Sequence, residues 1–193
     1  MTVTVGQHDA LLIVDVQRDF LPGGTLGVAG ADEVVPVLNR YLELGRRSKV
    51  PVLASRDWHP TNHCSFLARG GPWPEHCVAG TPGAEFPPVL ELPHDAIIID
   101  KAAGPDVDAY SAFEGTGLAA RLRKMRVKRL LVGGLATDYC VLSTVLDARK
   151  AGLEVLLLAD AIRAVNAKPG DGERAERKMR EAGAILINFG DCS

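Results

Sequence analysis

The chain has 193 residues, and its 22 lysine and arginine residues nearly balance 24 aspartate and glutamate residues, for a formal net charge of −2. This balance gives no electrostatic reason to expect nucleic acid or an anionic membrane as a partner. Hydrophobic residues make up 47% of the chain, which is ordinary for a globular protein, and the length suits a single domain spanning residues 1–193.

The cysteines and the N-terminal residues bear on the compartment. Cys64, Cys77, Cys140 and Cys192 are scattered without a C-x-x-C pair, which favours reduced thiols over a disulfide framework. The first residues lack the basic segment and cleavage site of a secretory signal, and no apolar run is long enough to span a membrane. We therefore expect a cytoplasmic protein, and its oligomeric state stays open, a homo-oligomer included.

Six short apolar runs alternate with helical patterns along the chain. The predicted strands are 10–16, 50–55, 96–100, 130–132, 153–158 and 184–188, and three predicted helices are 32–47, 118–125 and 172–182. A fourth helix follows a cap at Thr137 or Asp138 and ends before Gly152. This alternation predicts an α/β fold with a mostly parallel, doubly wound sheet of about six strands and helices on both faces.

Polar residues follow the ends of four predicted strands. Asp15 closes the first strand, Asp57 and His59 follow the second, Lys101 closes the third, and Cys140 lies just past the fourth. Ligands of open α/β sheets bind outside the carboxyl ends of the strands, where the strand order reverses. We therefore expect these side chains to share one edge of the sheet. The segment 56–93 is long, irregular and rich in glycine and proline, which is typical of a functional loop.

Asp15, Lys101 and Cys140 have the chemistry of a nucleophilic site. Burial would raise the pKa of Asp15 toward that of a useful base, and a lysine ammonium would hold both the carboxylate and a thiolate. Cys140 is expected in the first turn of a helix, where the dipole eases ionisation of the thiol. The backbone N–H groups of Ala136 and Cys140 could form an oxyanion hole.

A second group combines one carboxylate with imidazoles. Asp57 and His59 project to the same side of an extended chain, and His76 can reach them from the loop, with His63 as a less certain fourth member. Such ligands suit Zn²⁺, Fe²⁺ or Mn²⁺. Phe20, Trp73, Tyr110 and Leu135 are expected to form apolar walls for a small flat ring.

Each of these residues also has a simpler explanation when it is taken alone. Cys140 could pack as a small hydrophobic residue, Asp15 could cap a turn, and Lys101 could be a solvated lysine. The carboxylate and histidines could form a hydrogen-bonded loop, and each aromatic side chain could pack its own loop. Their coincidence at one sheet edge favours the functional interpretation.

Five motifs in order along the chain resemble the nicotinamidase/pyrazinamidase family of isochorismatase-like cysteine hydrolases. They are IVDVQRDF (13–20), SRDWHPTNHCSF (55–66), WPEHCVAGTPGAEF (73–86), K-x8-YSAFEGT (101–116) and GLATDYCV (134–141). The resemblance implies a three-layer α/β/α sandwich. It also implies hydrolysis of nicotinamide to nicotinate and ammonia, and of pyrazinamide to pyrazinoate, in NAD salvage.

The resemblance also implies roles for residues. Cys140 would be the nucleophile that forms a thioester, Asp15 the proton acceptor and donor, and Lys101 the third catalytic member. Asp57, His59 and His76 would hold one divalent metal ion, Zn²⁺ first among the candidates, and the residue matching His63 is a ligand in some family members. A cis peptide bond would precede Ala136, and Tyr139 would line the pocket.

Three other functions remain open at this point. A related amidase or an isochorismatase-type hydrolase could use the same scaffold, although the latter need not carry the metal residues. A non-catalytic metal-binding relative is disfavoured by the presence of Asp15, Lys101 and Cys140 together. A thiol redox protein is disfavoured because no second cysteine lies near Cys140 in the sequence.

Overall fold

The computed structural model describes residues 2–193, and its core is one six-stranded sheet flanked by α-helices. The strands are β1 (Asp9–Val14), β2 (Val52–Asp57), β3 (Ile97–Lys101), β4 (Arg129–Leu135), β5 (Glu154–Arg163) and β6 (Ile185–Ile187). The helices are α1 (Val34–Ser48), α2 (Leu118–Lys124), α3 (Leu142–Lys150) and α4 (Asp171–Glu181). Within residues 2–193, none of the helices has the length and apolar character needed to cross a bilayer.

The strand order explains where a ligand can bind. All neighbouring strands pair in parallel, and the order across the sheet is β3-β2-β1-β4-β5-β6. The chain first winds outward from β1 to β3 and then returns to continue on the other side of β1 with β4. The order therefore reverses between β1 and β4, which is the position where open α/β sheets bind ligands. The prediction of a parallel, doubly wound sheet of about six strands is confirmed.

The alternating sides of each strand explain the two helical layers. In β1, Leu11 and Ile13 pack into the apolar cluster that contains α1, whereas Leu12 and Val14 pack into the cluster that contains α2, α3 and α4. A strand that is covered on both faces must be apolar on both faces, which is why β1 is a continuous apolar run. The three-layer α/β/α sandwich is confirmed.

Gly134 allows β1 and β4 to approach closely at the reversal point. Its φ of 128° is unfavourable for residues with a side chain, and a Cβ atom there would collide with the backbone of Val14. This approach brings the residue after β1 next to the turn after β4. Both turns carry residues of the predicted site.

The structure differs from the predicted elements at several strand ends and in the turn after β4, since β2 reaches Asp57 and β4 reaches Leu135. Strand β5 continues to Arg163 through Asp160, whose carboxylate accepts hydrogen bonds from the Tyr41 hydroxyl (2.9 Å) and the Phe189 N–H (2.8 Å). After β4, one turn of π-helix at Thr137–Val141 precedes α3, so that Cys140 lies before the α-helix proper. Asp138 does not cap this turn, because its carboxylate binds a neighbouring loop.

Candidate active site

The structure brings Asp15, Lys101 and Cys140 together at the carboxyl edge of the sheet. Asp15 follows β1 directly, Lys101 is the last residue of β3, and Cys140 lies in the turn after β4. Lys101 Nζ lies 3.0 Å from Asp15 Oδ2 and 3.5 Å from Cys140 Sγ. The predicted convergence of these three side chains is therefore present, whereas their catalytic roles are a matter for proposal.

Lys101 is the centre of this cluster. It is 1% exposed, and its ammonium contacts the carboxylates of Asp15 and Asp57 and donates to the Ala109 carbonyl at 3.1 Å. Burial alone would lower the pKa of Lys101, but the two carboxylates and Cys140 hold it well above its ordinary value. The lysine is therefore a fixed cation that links the nucleophile group to the neighbouring carboxylate Asp57.

Asp15 is placed to exchange a proton. It is fully buried, and its Oδ1 accepts a hydrogen bond from the Ser55 hydroxyl at 2.7 Å. Among the described residues, no group donates a well-directed hydrogen bond to its Oδ2, although Lys101 Nζ lies 3.0 Å away. Burial raises the pKa of Asp15 above its ordinary value, against the lowering effect of Lys101. A carboxylate with a raised pKa and a free lone pair is suited to general acid–base chemistry.

Cys140 is a protonated thiol in its resting environment. Burial raises the pKa of Cys140 well above its ordinary value; Lys101 opposes this effect, and Asp15 and Asp57 reinforce it. The expectation that the helix start eases its ionisation is therefore wrong. The thiol lies in the π-helical turn and is 6% exposed, so desolvation is the largest effect on its pKa. A nucleophile in this state needs an adjacent base.

Asp57, His59 and His76 form a group that fits a divalent metal ion. One potential ligand atom from each lies within 4.8 Å of the others, and all three residues are buried. His59 Nδ1 bonds the Ala102 carbonyl (3.1 Å) and His76 Nδ1 bonds the Pro74 carbonyl (2.8 Å). A carbonyl can only accept, so each Nδ1 carries the proton and each Nε2 keeps its lone pair.

The protonation states of these three residues also favour the binding of a metal cation. Burial would raise the pKa of Asp57, but the Lys101 ammonium lowers it below the ordinary value, so the carboxylate is ionised. Burial lowers the pKa of His76, which favours the neutral imidazole that a metal ion needs. The donor set of one carboxylate and two imidazoles suits Zn²⁺ and related transition metals.

His63 lies beside this group but is bound elsewhere. Its ring stacks on His59 with the ring centroids 4.0 Å apart. Its Nδ1 lies 2.7 Å from the Ser65 hydroxyl, and its Nε2 lies 3.0 Å from the Val107 carbonyl. With both ring nitrogens hydrogen-bonded, the structure places His63 against the His59 ring and not among the three residues that converge.

A cavity of about 50 Å³ opens beside Cys140 and Asp57. Its aromatic walls include four residues that the sequence predicted, Phe20, Trp73, Tyr110 and Tyr139. The Trp73 indole N–H donates to the Tyr110 hydroxyl at 3.0 Å, and the ring centroids of Phe20 and His76 are 5.8 Å apart. The cavity therefore pairs a reactive thiol with flat apolar walls.

Leu135 does not line this cavity, which corrects the expectation for it. It is fully buried and belongs to the apolar cluster on the α1 face of the sheet. The alternation along β4 explains this position, because Leu131 packs into the same cluster four residues earlier. The Leu135–Ala136 peptide bond is cis, as the resemblance implied.

Several residues of the site were not predicted, Leu26 and Val28 in the cavity wall among them. Gln17 bonds the backbone of Asp57 twice, accepting from its N–H (2.8 Å) and donating to its carbonyl (2.7 Å). Ser55 bonds Asp15, and Val165 lines the cavity from the loop after β5. For Ser55, its position as a polar residue closing an apolar strand was an available signal. Val165 carried none, because only tertiary contacts bring its loop to the cavity.

Comparison with known proteins agrees with this geometry. Residues 9–189 match the family described as Isochorismatase domain. The nicotinamidase of Escherichia coli (strain K12) is 40% identical over 203 residues, which cover 94% of this chain and 95% of that protein.

Two solved structures are similar over nearly their whole length. The pyrazinamidase of Pyrococcus horikoshii in complex with zinc has a TM-score of 0.91 at 52% identity, covering 94% of this chain and 99% of the other. PnC1 from L. infantum in complex with nicotinate has a TM-score of 0.90 at 36% identity, covering 100% and 99%. The sequence match and the shared fold together show that this chain belongs to the nicotinamidase/pyrazinamidase family of isochorismatase-domain proteins.

Proposed function

We propose that this protein hydrolyses nicotinamide to nicotinate and ammonia, and pyrazinamide to pyrazinoate, through a thioester on Cys140. The observation that carries the proposal is the contact of Lys101 with both Asp15 and Cys140 at the floor of an aromatic cavity. The relatives that share most of the chain are named nicotinamidases or pyrazinamidases, which supports the same chemistry here.

Binding places the ring before the chemistry begins. The aromatic side chains of Phe20 and Trp73 line the cavity and offer flat apolar surface to a pyridine or pyrazine ring. Asp57, His59 and His76 would hold one divalent ion, which we assign as Zn²⁺, and the ion would supply an electrophilic anchor that orients the substrate. The carboxamide then lies over Cys140.

Proton transfer through Asp15 drives both halves of the reaction. Asp15 takes the proton of the Cys140 thiol, and the thiolate attacks the carboxamide carbon. The N–H groups of Ala136 and Cys140 bind the oxyanion, and Asp15 passes its proton to the departing ammonia. Asp15 next takes a proton from a water molecule, whose oxygen attacks the thioester carbon. The C–S bond breaks, the acid is released, and Asp15 returns its proton to the Cys140 sulfur. Lys101 keeps the carboxylate and the sulfur in place throughout.

The direct test is ammonia release from nicotinamide, with an aliphatic amide as the comparison substrate. Wild-type protein should release ammonia from nicotinamide and pyrazinamide in preference to the aliphatic amide. Cys140→Ala should abolish release while the bound metal per chain, measured by elemental analysis, stays at the wild-type value. Turnover by Cys140→Ala near the wild-type rate would exclude the covalent route.

A matched control uses a second free thiol. Cys192 is partly exposed and lies near the C-terminus, paired through the backbone with Val3 and away from the cavity. Cys192→Ala should therefore keep wild-type activity. A loss of activity in that variant equal to the loss in Cys140→Ala would show that the assay reports general damage to the protein.

A further inference from the structure

Tyr139 separates the active-site cavity from a second cleft. The inner cavity contains Cys140, and an outer cleft of about 230 Å³ lies between the nucleophile turn and α4, where Leu142, Ala175 and Lys178 line it. Among residues 2–193, Tyr139 is the only side chain that lines both spaces. Tyr139 therefore lies between the cavity that contains Cys140 and the outer cleft.

Packing alone holds this ring in place. Its centroid lies 5.2 Å from that of Trp73 in an edge-on contact and 5.6 Å from that of Tyr110. No residue in the described range 2–193 forms a hydrogen bond with the Tyr139 hydroxyl, whereas the backbone N–H of Tyr139 donates to the Ala136 carbonyl at 3.1 Å. The turn is thus fixed by its backbone, and the side chain contributes a wall that can be shortened without breaking a polar contact.

We propose that Tyr139 determines substrate specificity by limiting the enzyme to aromatic amides without a bulky ring substituent on the edge facing it. This inference rests on the proposed amidase function and adds its substrate range. A substituent on that edge collides with the phenol ring in the wild-type protein. With the ring shortened, the same substituent enters the outer cleft, which offers the apolar surface of Leu142 and Ala175. The rest of that cleft is lined by two acidic and two basic residues, Asp138, Asp171, Arg174 and Lys178.

The chemical class that gains access follows from this lining. Alkyl groups fit Leu142 and Ala175, whereas the two carboxylates of Asp138 and Asp171 balance the cations Arg174 and Lys178, so the lining does not favour a charged group. The expected new substrates are therefore nicotinamides with a short alkyl group on the ring. Loss or gain of one methylene group in an apolar pocket typically changes kcat/KM by about 10–200-fold.

The test measures selectivity and not activity alone. We compare wild type and Tyr139→Ala by one ratio, which is kcat/KM for a ring-substituted nicotinamide divided by kcat/KM for nicotinamide. The substituents are methyl and ethyl groups at each free ring position. For at least one ring position the ratio should rise by about tenfold or more. The ratio in Tyr139→Phe, which keeps the ring, should stay at the wild-type value. Lys178→Ala alters only the outer cleft and should keep both the activity and the ratio.

Three results would overturn the proposal. One is an unchanged ratio at every ring position in a Tyr139→Ala protein that still hydrolyses nicotinamide, and another is an equal change in Tyr139→Phe. If Tyr139→Ala loses turnover, Tyr139→Leu is used, and binding of ring-substituted nicotinates is measured against nicotinate by calorimetry. Absence of any relative gain in affinity would then be the overturning result. A wild-type protein that fails to hydrolyse nicotinamide would instead refute the proposed function.

Discussion

Replacement of Lys101 tests how the buried charges are balanced. In Lys101→Met the chain keeps a side chain of similar length, but Asp15 and Asp57 lose their shared cation and Ala109 loses its donor. Breaking a buried ion pair by removing one partner costs about 3–5 kcal/mol. For a protein of this size each kcal/mol shifts Tm by about 2–4 °C, so the expected loss is roughly 6–20 °C.

The loss of stability in Lys101→Met should depend on pH, because the substitution changes the pKa of Asp15. Without Lys101, burial and the charge of Asp57 raise the folded-state pKa of Asp15 further above the unfolded value, since only hydrogen bonds to Ser55 and Cys140 still lower it. A carboxyl group whose folded pKa is raised favours the folded state at low pH, and this stability is lost as the pH rises through the folded pKa. The deficit of Lys101→Met relative to wild type should therefore be larger at pH 8 than at pH 5.

The assay is thermal unfolding followed by circular dichroism on chelator-treated proteins, so that metal binding does not contribute. Lys150→Met is the matched control, because Lys150 forms an exposed ion pair with Asp147 at 3.1 Å. Exposed pairs contribute about 0–1 kcal/mol, so the control should unfold close to the wild-type temperature. A Lys101→Met protein as stable as Lys150→Met at pH 8 would refute the assignment of Lys101 as the buried counter-ion.

Three further changes test the base, the cavity wall and the metal group. Ser55→Ala removes a hydrogen bond that favours ionised Asp15, so the pKa of Asp15 should rise. Because activity is lost as the pH falls through the pKa of the base, the acid limb of the kcat/KM profile should move to higher pH. An unmoved acid limb would contradict the assignment of Asp15 as the base. Asp138→Asn weakens the two 2.9 Å hydrogen bonds that hold the loop of Val165, so it should destabilise the protein by about 1–3 kcal/mol. It should also raise KM more than it lowers kcat, because Val165 lines the substrate cavity. Equal effects on KM and kcat would argue against a role of this loop in substrate binding. His59→Ala should reduce the bound metal per chain and raise KM steeply, and an unchanged metal content would refute the ligand set.

The convergence of the site could be predicted because it follows from parallel strand geometry. Asp15, Lys101 and Cys140 each follow an apolar run, and parallel strands present their carboxyl ends at one edge. Hydrophobic periodicity could not predict the strand order, because the residues of a buried strand do not show which strand pairs with it. Only the structure shows that β1 and β4 flank the reversal, which places the acid beside the thiol.

The failures concern properties that depend on tertiary surroundings. The pKa of Cys140 was expected to fall because of the local helix start, but burial among other elements raises it. Leu135 was assigned to the cavity because it was expected in a loop at the same sheet edge, whereas it closes β4 and faces the α1 side of the sheet. Ligand spacing likewise could not show that His63 has both nitrogens hydrogen-bonded.

Val165 illustrates a contact with no local signal. It reaches the cavity because Asp138, two residues before the nucleophile, accepts hydrogen bonds from the N–H groups of Val165 and Asn166. The sequence indicated Thr137 or Asp138 as the helix cap, which is the usual use of either residue at such a position. In the folded chain the carboxylate instead ties two distant loops together.

Attack by Cys140 on the carbon that the substrate presents to it is the central claim, and an aldehyde analogue tests it most directly. Nicotinaldehyde with an isotopic label at the aldehyde carbon is added to the metal-loaded protein, and the carbon resonance is observed by NMR. We expect a thiohemiacetal resonance with wild-type protein, and its loss in Cys140→Ala with the metal content unchanged. A wild-type protein that hydrolyses nicotinamide yet shows only free or hydrated aldehyde would contradict the covalent mechanism.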